Sequence, residues 1–506
     1  MTIFTAAIEQ ASDILWNSLL LFLLVGTGVF FTIRLRGVQL RRFGEGFHRV
    51  FGNFTLRGKK ADDQGMSSFQ ALATAIAAQV GTGNITGCAT ALVSGGPGAL
   101  FWVWVSAFFG MATIYAEAVL AQRYRTTVNG KVTGGPAYYI RAAFKGTFGK
   151  VLAGVFSVLI ILALGFMGNM VQSNSIGDAF HNAFGMSHLA VGIVVAVIAA
   201  FIFLGGVQRI AAVTEKIVPI MAAFYIVGCV VILVMNYKTL PNAFTQIFVL
   251  AFNPQAMAGG VAGVTVQQAM RFGVARGLFS NEAGMGSAPN AAATASVSHP
   301  VKQGLVQSLS VYIDTLLICT CSAMMVMVFW VQDPETAMAL NGMPLVQMAV
   351  NNAVGEVGIH FITFAIFAFA FSSLIGNYFY AETNFRYIFK NTKWGMLIFR
   401  VLCLAAIFYG CVNSFDLAWN LADIFMGFMA IINLVAILLL GKWALAALDD
   451  YTRQRKEGKD PVFIAASVPG MPACECWTTA DLPNFGDNPV EEYIEEAASL
   501  DSEGLR

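Results

Sequence analysis

Charge is what this sequence has least of. Only 12% of its 506 residues are Asp, Glu, Lys or Arg, against 57% hydrophobic. A soluble domain carries about 25% charged residues. More than half of the usual charge is missing, so lipid must solvate much of the surface. The net charge of +1 gives bulk electrostatics no hold on nucleic acid. A cleavable signal peptide is also lacking. The apolar stretch 14–33 is too long for a signal h-region, and acidic Glu9 and Asp13 precede it where basic residues would be needed. There is no G-x4-G-K-[ST] phosphate loop, which leaves no sign of an ATP-driven pump, and no hydrolytic or redox motif. His48, His181, His188, His299 and His360 lie in loops or at span ends and form no ligand cluster. Six of the eight cysteines fall in or beside apolar spans. The other two, Cys474 and Cys476, are a C-x-C without the second pair or histidine that zinc needs.

Long apolar runs are what the sequence has in excess. A membrane helix needs about 20 apolar residues. Eleven runs meet that length: 14–33, 67–94, 99–122, 151–180, 188–205, 211–235, 260–293, 304–330, 358–385, 395–412 and 416–441. Lysine and arginine decide which side is which. With the N-terminus outside, 27 of the 30 fall in the inside segments, and the outside loops hold only Lys238. The expected topology is therefore N-terminus out and C-terminus in, across a bacterial inner membrane. The region after 443 is charged, contains Pro and Gly, and ends in an acidic run at 491–496. It reads as a cytosolic, partly disordered tail.

Two spans are unlike the rest. The second carries Gly81-Thr-Gly-Asn84, and the seventh Gly277-Leu-Phe-Ser-Asn-Glu-Ala-Gly-Met-Gly-Ser-Ala-Pro289, each at mid-membrane depth. Irregular backbone survives there only where it lines a protein-enclosed or watery cavity. A broken helix bares N–H groups, which suit a carboxylate, and C=O groups, which suit a cation. Small-residue faces for tight helix packing are the alternative. The two spans open five-span units of opposite topology, 2–6 and 7–11. Paired interruptions at matching places in inverted halves point to a transporter site. The expected fold is all-α and membrane-integral: a 5+5 inverted repeat with two discontinuous helices (37–442), one extra N-terminal helix (1–36) and a tail (443–506).

Ionisable groups inside spans either serve function or make structural pairs. Glu282 sits in the seventh-span break, where it can bind an ion or amine or cap the N–H groups of the turn. Arg271 and Arg276 are its candidate partners, or line the external vestibule. Glu117, Asp314 and Asp423 stand open between ion path and structural hydrogen bonding. Ser372 and Ser373 in the ninth span can add hard oxygen ligands for Na⁺ to carbonyls from the second-span break, or bond back to their own helix.

Four motifs carry a family resemblance: Val80-Gly-Thr-Gly-Asn-Ile85, Gly95-Gly-Pro-Gly-Ala-Leu-Phe-Trp-Val-Trp104, Gly134-Gly-Pro-Ala-Tyr-Tyr139, and the 277–289 run. With them the sequence resembles the alanine/glycine:cation symporter family of the leucine-transporter-like fold, over nearly the whole membrane region. The resemblance implies import of a small neutral amino acid with Na⁺, or in some members H⁺, and no enzymatic activity. A non-coupled channel or sensor of the same fold is the competing reading. Gly83 and Asn84, with Thr82, resemble the turn that meets the substrate carboxylate. Gln79, Gln172, Phe279 and Met285 match positions around the pocket. Ser372 and Ser373, with carbonyls near Val80 and Gly81, resemble the sodium site. One departure stands out. Where the family usually reads Leu-Gly-Trp, this chain has Ile375-Gly-Asn377. Asn377 in place of a Trp wall implies a wider, amide-bearing pocket that admits a larger polar amino acid such as glutamine, asparagine or serine beside, or instead of, alanine and glycine; the alternative is that Asn377 faces another helix and a neighbouring aromatic fills the wall.

Overall fold

The structure is a computed structural model, and it describes residues 10, 12, 14–52, 66–128, 130–253, 265–390, 392–413 and 416–478. The start of the expected seventh span and the acidic run at 491–496 lie outside these. Among the described residues, seven helices are long and apolar enough to cross a membrane. A π-helical turn, Leu15–Leu20, leads into α1 (Leu21–Arg34). An amphipathic helix, α2 (Phe43–Phe51), follows. The second span is divided into α3 (Ser68–Gln79) and, after a π-helical turn at Gly83–Gly87, α4 (Cys88–Gly95). Then come α5 (Gly98–Arg123), α6 (Gly146–Phe184), α7 (His188–Leu204) and α8 (Gly206–Met235). The second half opens with α9 (Val266–Asn281) and continues through α10 (Pro300–Gln332), α11 (Glu356–Phe389), α12 (Lys393–Val412) and α13 (Asp416–Lys456). The chain is thus an all-α membrane protein.

Periodicity explains which faces are hidden. In α7 the buried Val191, Val195, Ala199 and Ile202 repeat at helical spacing, while Val194, Val197, Ile198 and Phe201 are exposed. Exposed apolar side chains at this density suit lipid tails. In α5, α10 and α11 burial spreads around the helix. These three lie inside, with α5 packed between α9 and α10, and α11 against α3 and α6.

Both helix breaks are held from the end where most of the lysines and arginines gather, called here the basic end. Met66 and Ser67, just before α3, pair in parallel with Ala295 and Ser296, just after the second break. Ser67 and Gln70 form a reciprocal capping box that starts α3.

Two expectations about boundaries change. The last helix runs through residue 443 to Lys456, because its inward face stays apolar (Ala444, Ala447, Tyr451). The segment after it is pinned to the basic end as far as it is described. Asp460 pairs with Lys302 Nζ at 2.7 Å. Phe463 N–H donates to Ser298 O at 2.8 Å, and Trp477 Nε1 to Gln122 O at 2.7 Å. Helices that the apolar-run reading passed over include α2 and Leu240–Phe252, both too short to span.

Candidate functional site

The first break begins where Val80 turns to an extended conformation (φ −81°, ψ 95°), so α3 stops there. Its last regular bond is Val80 N–H to Ile76 O, 2.7 Å. Carbonyls after Ile76 are left without the usual partner four residues on. Two hydroxyls on α11 reach them. Ser373 Oγ donates toward Ala78 O (2.9 Å), Ala77 O (3.2 Å) and Val80 O (3.3 Å), whereas Ser372 Oγ bonds back to Phe369 O of α11 (2.8 Å) and lies 3.4 Å from Val80 O. Val80 and Ser373 thus lie together at the break, while Ser372 makes its shorter bond to its own helix, the alternative its sequence left open. Ala77 and Ala78 were missed, because a carbonyl has no side-chain signature. Gly81 is required by close approach: a Cβ there would collide with Ser373 Oγ and lie 2.8 Å from Gln172 Oε1. Five hard oxygens around one break are a donor set for a small alkali cation.

One residue further on, Thr82 N–H donates to Gln172 Oε1 of α6 at 2.9 Å. Thr82 Oγ1 is fully buried and has no hydrogen-bond partner among the described residues, and the same holds for Gln79 Oε1, while Gln79 Nε2 donates to Asn281 O at 2.7 Å. Buried polar atoms are almost always paired. Both of these orphaned atoms sit beside the first break. Gly83 faces the Phe279 ring, which a Cβ would approach to 2.8 Å. Phe279 in turn packs on Trp419, ring centres 5.0 Å apart. Met285 lies buried in the second break, and Asn377 is buried on α11 one turn beyond Ser373. The Asn377 amide comes within 3.3 Å of where a Cβ on Gly168 would sit, so it faces α6.

Asn84 is committed inside the protein. Its Oδ1 accepts from Gly81 N–H at 2.8 Å, and its Nδ2 donates to Asp314 Oδ1 at 2.6 Å. The resemblance places Asn84 in the turn that meets a substrate carboxylate, and here its side chain is bonded within the protein. The amide braces the break instead. Asp314 also accepts from Ser280 (2.8 Å) and Thr315 (2.6 Å), so one carboxylate ties the first break to the last turn of α9.

The second break uses three left-handed residues in close succession: Glu282 (φ 58°), Gly284 (93°) and Gly286 (82°). Its bare N–H groups are capped by Glu117 of α5, which is fully buried and accepts from Gly284 at 3.0 Å and Gly286 at 3.1 Å. Asn433 of α13 donates to the same carboxylate and to Gly284 O. The capping role considered for Glu282 thus belongs to Glu117. Glu282 accepts from Ser287 Oγ at 2.7 Å. Arg276 does not pair with Glu282 as entertained. It meets Asp423 at 3.3 Å and lies over the Trp419 ring. That pair and ring cover Phe279 on the side away from the basic end.

Comparisons with known proteins bear on this geometry. The family model described as the sodium:alanine symporter family matches residues 1–465. The amino-acid carrier protein AlsT of Bacillus subtilis (strain 168) is 43% identical over 94% of this chain and 98% of its own length. The probable sodium/glutamine symporter GlnT of the same organism is 44% identical over 93% and 95%. Among solved structures, MhsT in complex with L-phenylalanine aligns with TM-score 0.54 at 13% identity, covering 86% of this chain and 96% of that one, a likeness of fold. The broken helices, the oxygens gathered at the first break and a match over nine-tenths of the sequence agree: this chain belongs to the sodium:alanine symporter family.

Proposed function

We propose that this protein is a secondary symporter that imports a small neutral amino acid together with Na⁺, its N-terminus outside and its C-terminus in the cytosol. One observation carries the reading. Five oxygens of the first break and of Ser372 and Ser373 converge directly beside two orphaned buried acceptors, Thr82 Oγ1 and Gln79 Oε1. A cation at the first set raises the local positive potential for a carboxylate beside it, and Thr82 and Gln79 can accept from an ammonium group. Ion and zwitterion then bind each other's site more tightly than either binds alone, which is the linkage that symport requires. In this scheme Arg276, Asp423 and Trp419 close the outer side, and the Asp314 and Glu117 clamps keep both breaks in shape.

Alanine and glycine are the default substrates. A larger polar amino acid such as glutamine or serine is favoured by Asn377 where the family usually has Trp. In proteoliposomes, labelled alanine should accumulate above equilibrium only under an inward Na⁺ gradient. Accumulation under an H⁺ gradient alone would replace Na⁺ with H⁺, and equilibration without accumulation would make the protein a channel. Ser373→Ala removes one hydroxyl ligand and should raise the Na⁺ concentration for half-maximal uptake about tenfold, with little effect on alanine affinity at saturating Na⁺. An unchanged Na⁺ activation curve would remove Ser373 from the ion site.

A further inference from the structure

A cavity of about 360 Å³ opens at the basic end, between the end of α1 with the turn that follows it and the last turns of α13. Four arginines line it: Arg34, Arg36, Arg41 and Arg42. Against them stands Asp449, with the Thr452 hydroxyl beside it. Arg42 is already engaged, by Glu45 at 3.1 Å and Thr452 Oγ1 at 3.3 Å. Arg34, Arg36 and Arg41 have no carboxylate within 4.0 Å among the described residues; Arg41 donates only to the Arg36 carbonyl, at 3.4 Å. The remaining lining is apolar and includes Ile33, Leu445 and Leu448.

Depth gives the second half of the argument. The outer surface of these elements is apolar up to the cavity: Phe22, Phe30, Ile33 and Leu40 are exposed on one side and Leu439 on the other. Trp443, with Lys442 over its ring, sits at the same level on α13. An apolar belt that ends in Trp, Lys and Arg is the signature of the headgroup region. Arginines that only set topology need water around them, not a cavity. Here three exposed guanidinium groups with no carboxylate within 4.0 Å among the described residues rim one, and its other walls are apolar side chains with Asp449 and Thr452. The combination suits an amphiphile: a planar fork of N–H donors for a phosphate, and hydrocarbon walls for the start of an acyl chain.

We propose that this cavity binds the phosphate of an anionic phospholipid, held by Arg34, Arg36 and Arg41 with Thr452 as a further donor. The lipid fastens the extra N-terminal helix to the last helix of the transporter core. Inorganic phosphate shares the charge but makes no use of the apolar walls. The site is independent of which amino acid is carried.

The test is native mass spectrometry of the full chain from a neutral detergent, supplemented with phosphatidylglycerol, phosphatidylcholine or inorganic phosphate. Phosphatidylglycerol should be retained through detergent removal, and phosphatidylcholine and phosphate should not. Arg36→Gln with Arg41→Gln should weaken phosphatidylglycerol retention by roughly tenfold or more, since each basic group near an anionic headgroup contributes separately. Arg36→Lys with Arg41→Lys should restore part of it and guards against a folding defect in the glutamine pair. Lys145→Gln with Lys150→Gln, at the same end but outside the cavity, should leave retention unchanged. Equal retention by wild type and the glutamine pair overturns the site. An equal loss in the Lys145/Lys150 pair reduces the effect to diffuse charge and overturns it too, and retention of inorganic phosphate would make it a free-phosphate site rather than a lipid site.

Discussion

Asn377 is the residue on which side-chain selectivity turns in the proposed reading. It is only 3% exposed, sits one helical turn past Ser373 and faces α6 near Gly168. An amide held in an apolar helix bundle rewards a ligand that can bond to it and penalises one that cannot, by about 1–3 kcal/mol. Asn377→Leu keeps the branched outline with somewhat more bulk and removes the amide. Glutamine should then compete with labelled alanine about tenfold less well, with alanine uptake itself retained. If glutamine competes equally well against both proteins, Asn377 serves packing alone and alanine or glycine stands. Side chains at the first break were legible one by one, because Gly-x-Gly-Asn in an apolar run has few other uses. Their partners were not. Asp314 and Glu117 read ambiguously, since a buried carboxylate in a span looks the same whether it carries an ion or accepts backbone N–H groups. Three-dimensional neighbours such as Gly284, Gly286 and Asn433 decide it.

At the scale of the element, both broken helices were readable, and so were the seven helices long and apolar enough to span among the described residues, out of eleven apolar runs. Hydrophobic runs report length faithfully, and Gly/polar clusters report interruption. Short amphipathic pieces escaped: α2 exposes Phe47 and Phe51 yet buries Gly46 and Val50, a pattern that an apolar-run count cannot see. The first break is also where sterics are tightest. Gly81→Ala places a methyl group into Ser373 Oγ and the Gln172 amide. One of the two must move, so the variant should still reach the membrane but lose at least about tenfold in Na⁺-driven uptake, through both ion and substrate terms. Normal Na⁺ activation in Gly81→Ala would show that Ser373 and Gln172 can both retreat without consequence.

The whole molecule presents its basic residues at one end, and the proposed orientation rests on that asymmetry. All six cysteines in or beside the spans are buried but Cys474 is part-exposed at the basic end, so single engineered cysteines report cleanly in a Cys474→Ser background. A cysteine introduced in 36–52 should react with a membrane-impermeant maleimide only after permeabilisation, and one in 335–350 should react in intact cells. The reversed pattern would invert the topology. The same end carries the segment 457–478, folded back on α5 and α10 through Trp477, Phe463 and Asp460. Its charge and its Pro and Gly content suggested a loose tail. Pairing with Lys302 and with the carbonyls of Gln122 and Ser298 is what holds it, and composition does not encode such pairing.

The Glu117 clamp has a consequence for how the chain is made. Its backbone partners, Gly284 and Gly286, come 167 and 169 residues later, and Asn433 comes 316 later. At roughly 5–20 residues per second, the ribosome delivers α5 to the bilayer roughly 8–33 seconds before the first of these partners exists. During the interval an apolar helix holds an acid that disfavours its insertion. The residue that steadies the finished protein is thus a burden on the nascent one. Glu117→Gln should show both signs at once. A fragment ending after α5 should integrate more efficiently in a translocon assay, and the full-length variant in detergent should be less stable by about 1–3 kcal/mol, because an amide cannot accept from both N–H groups and Asn433 as the carboxylate does.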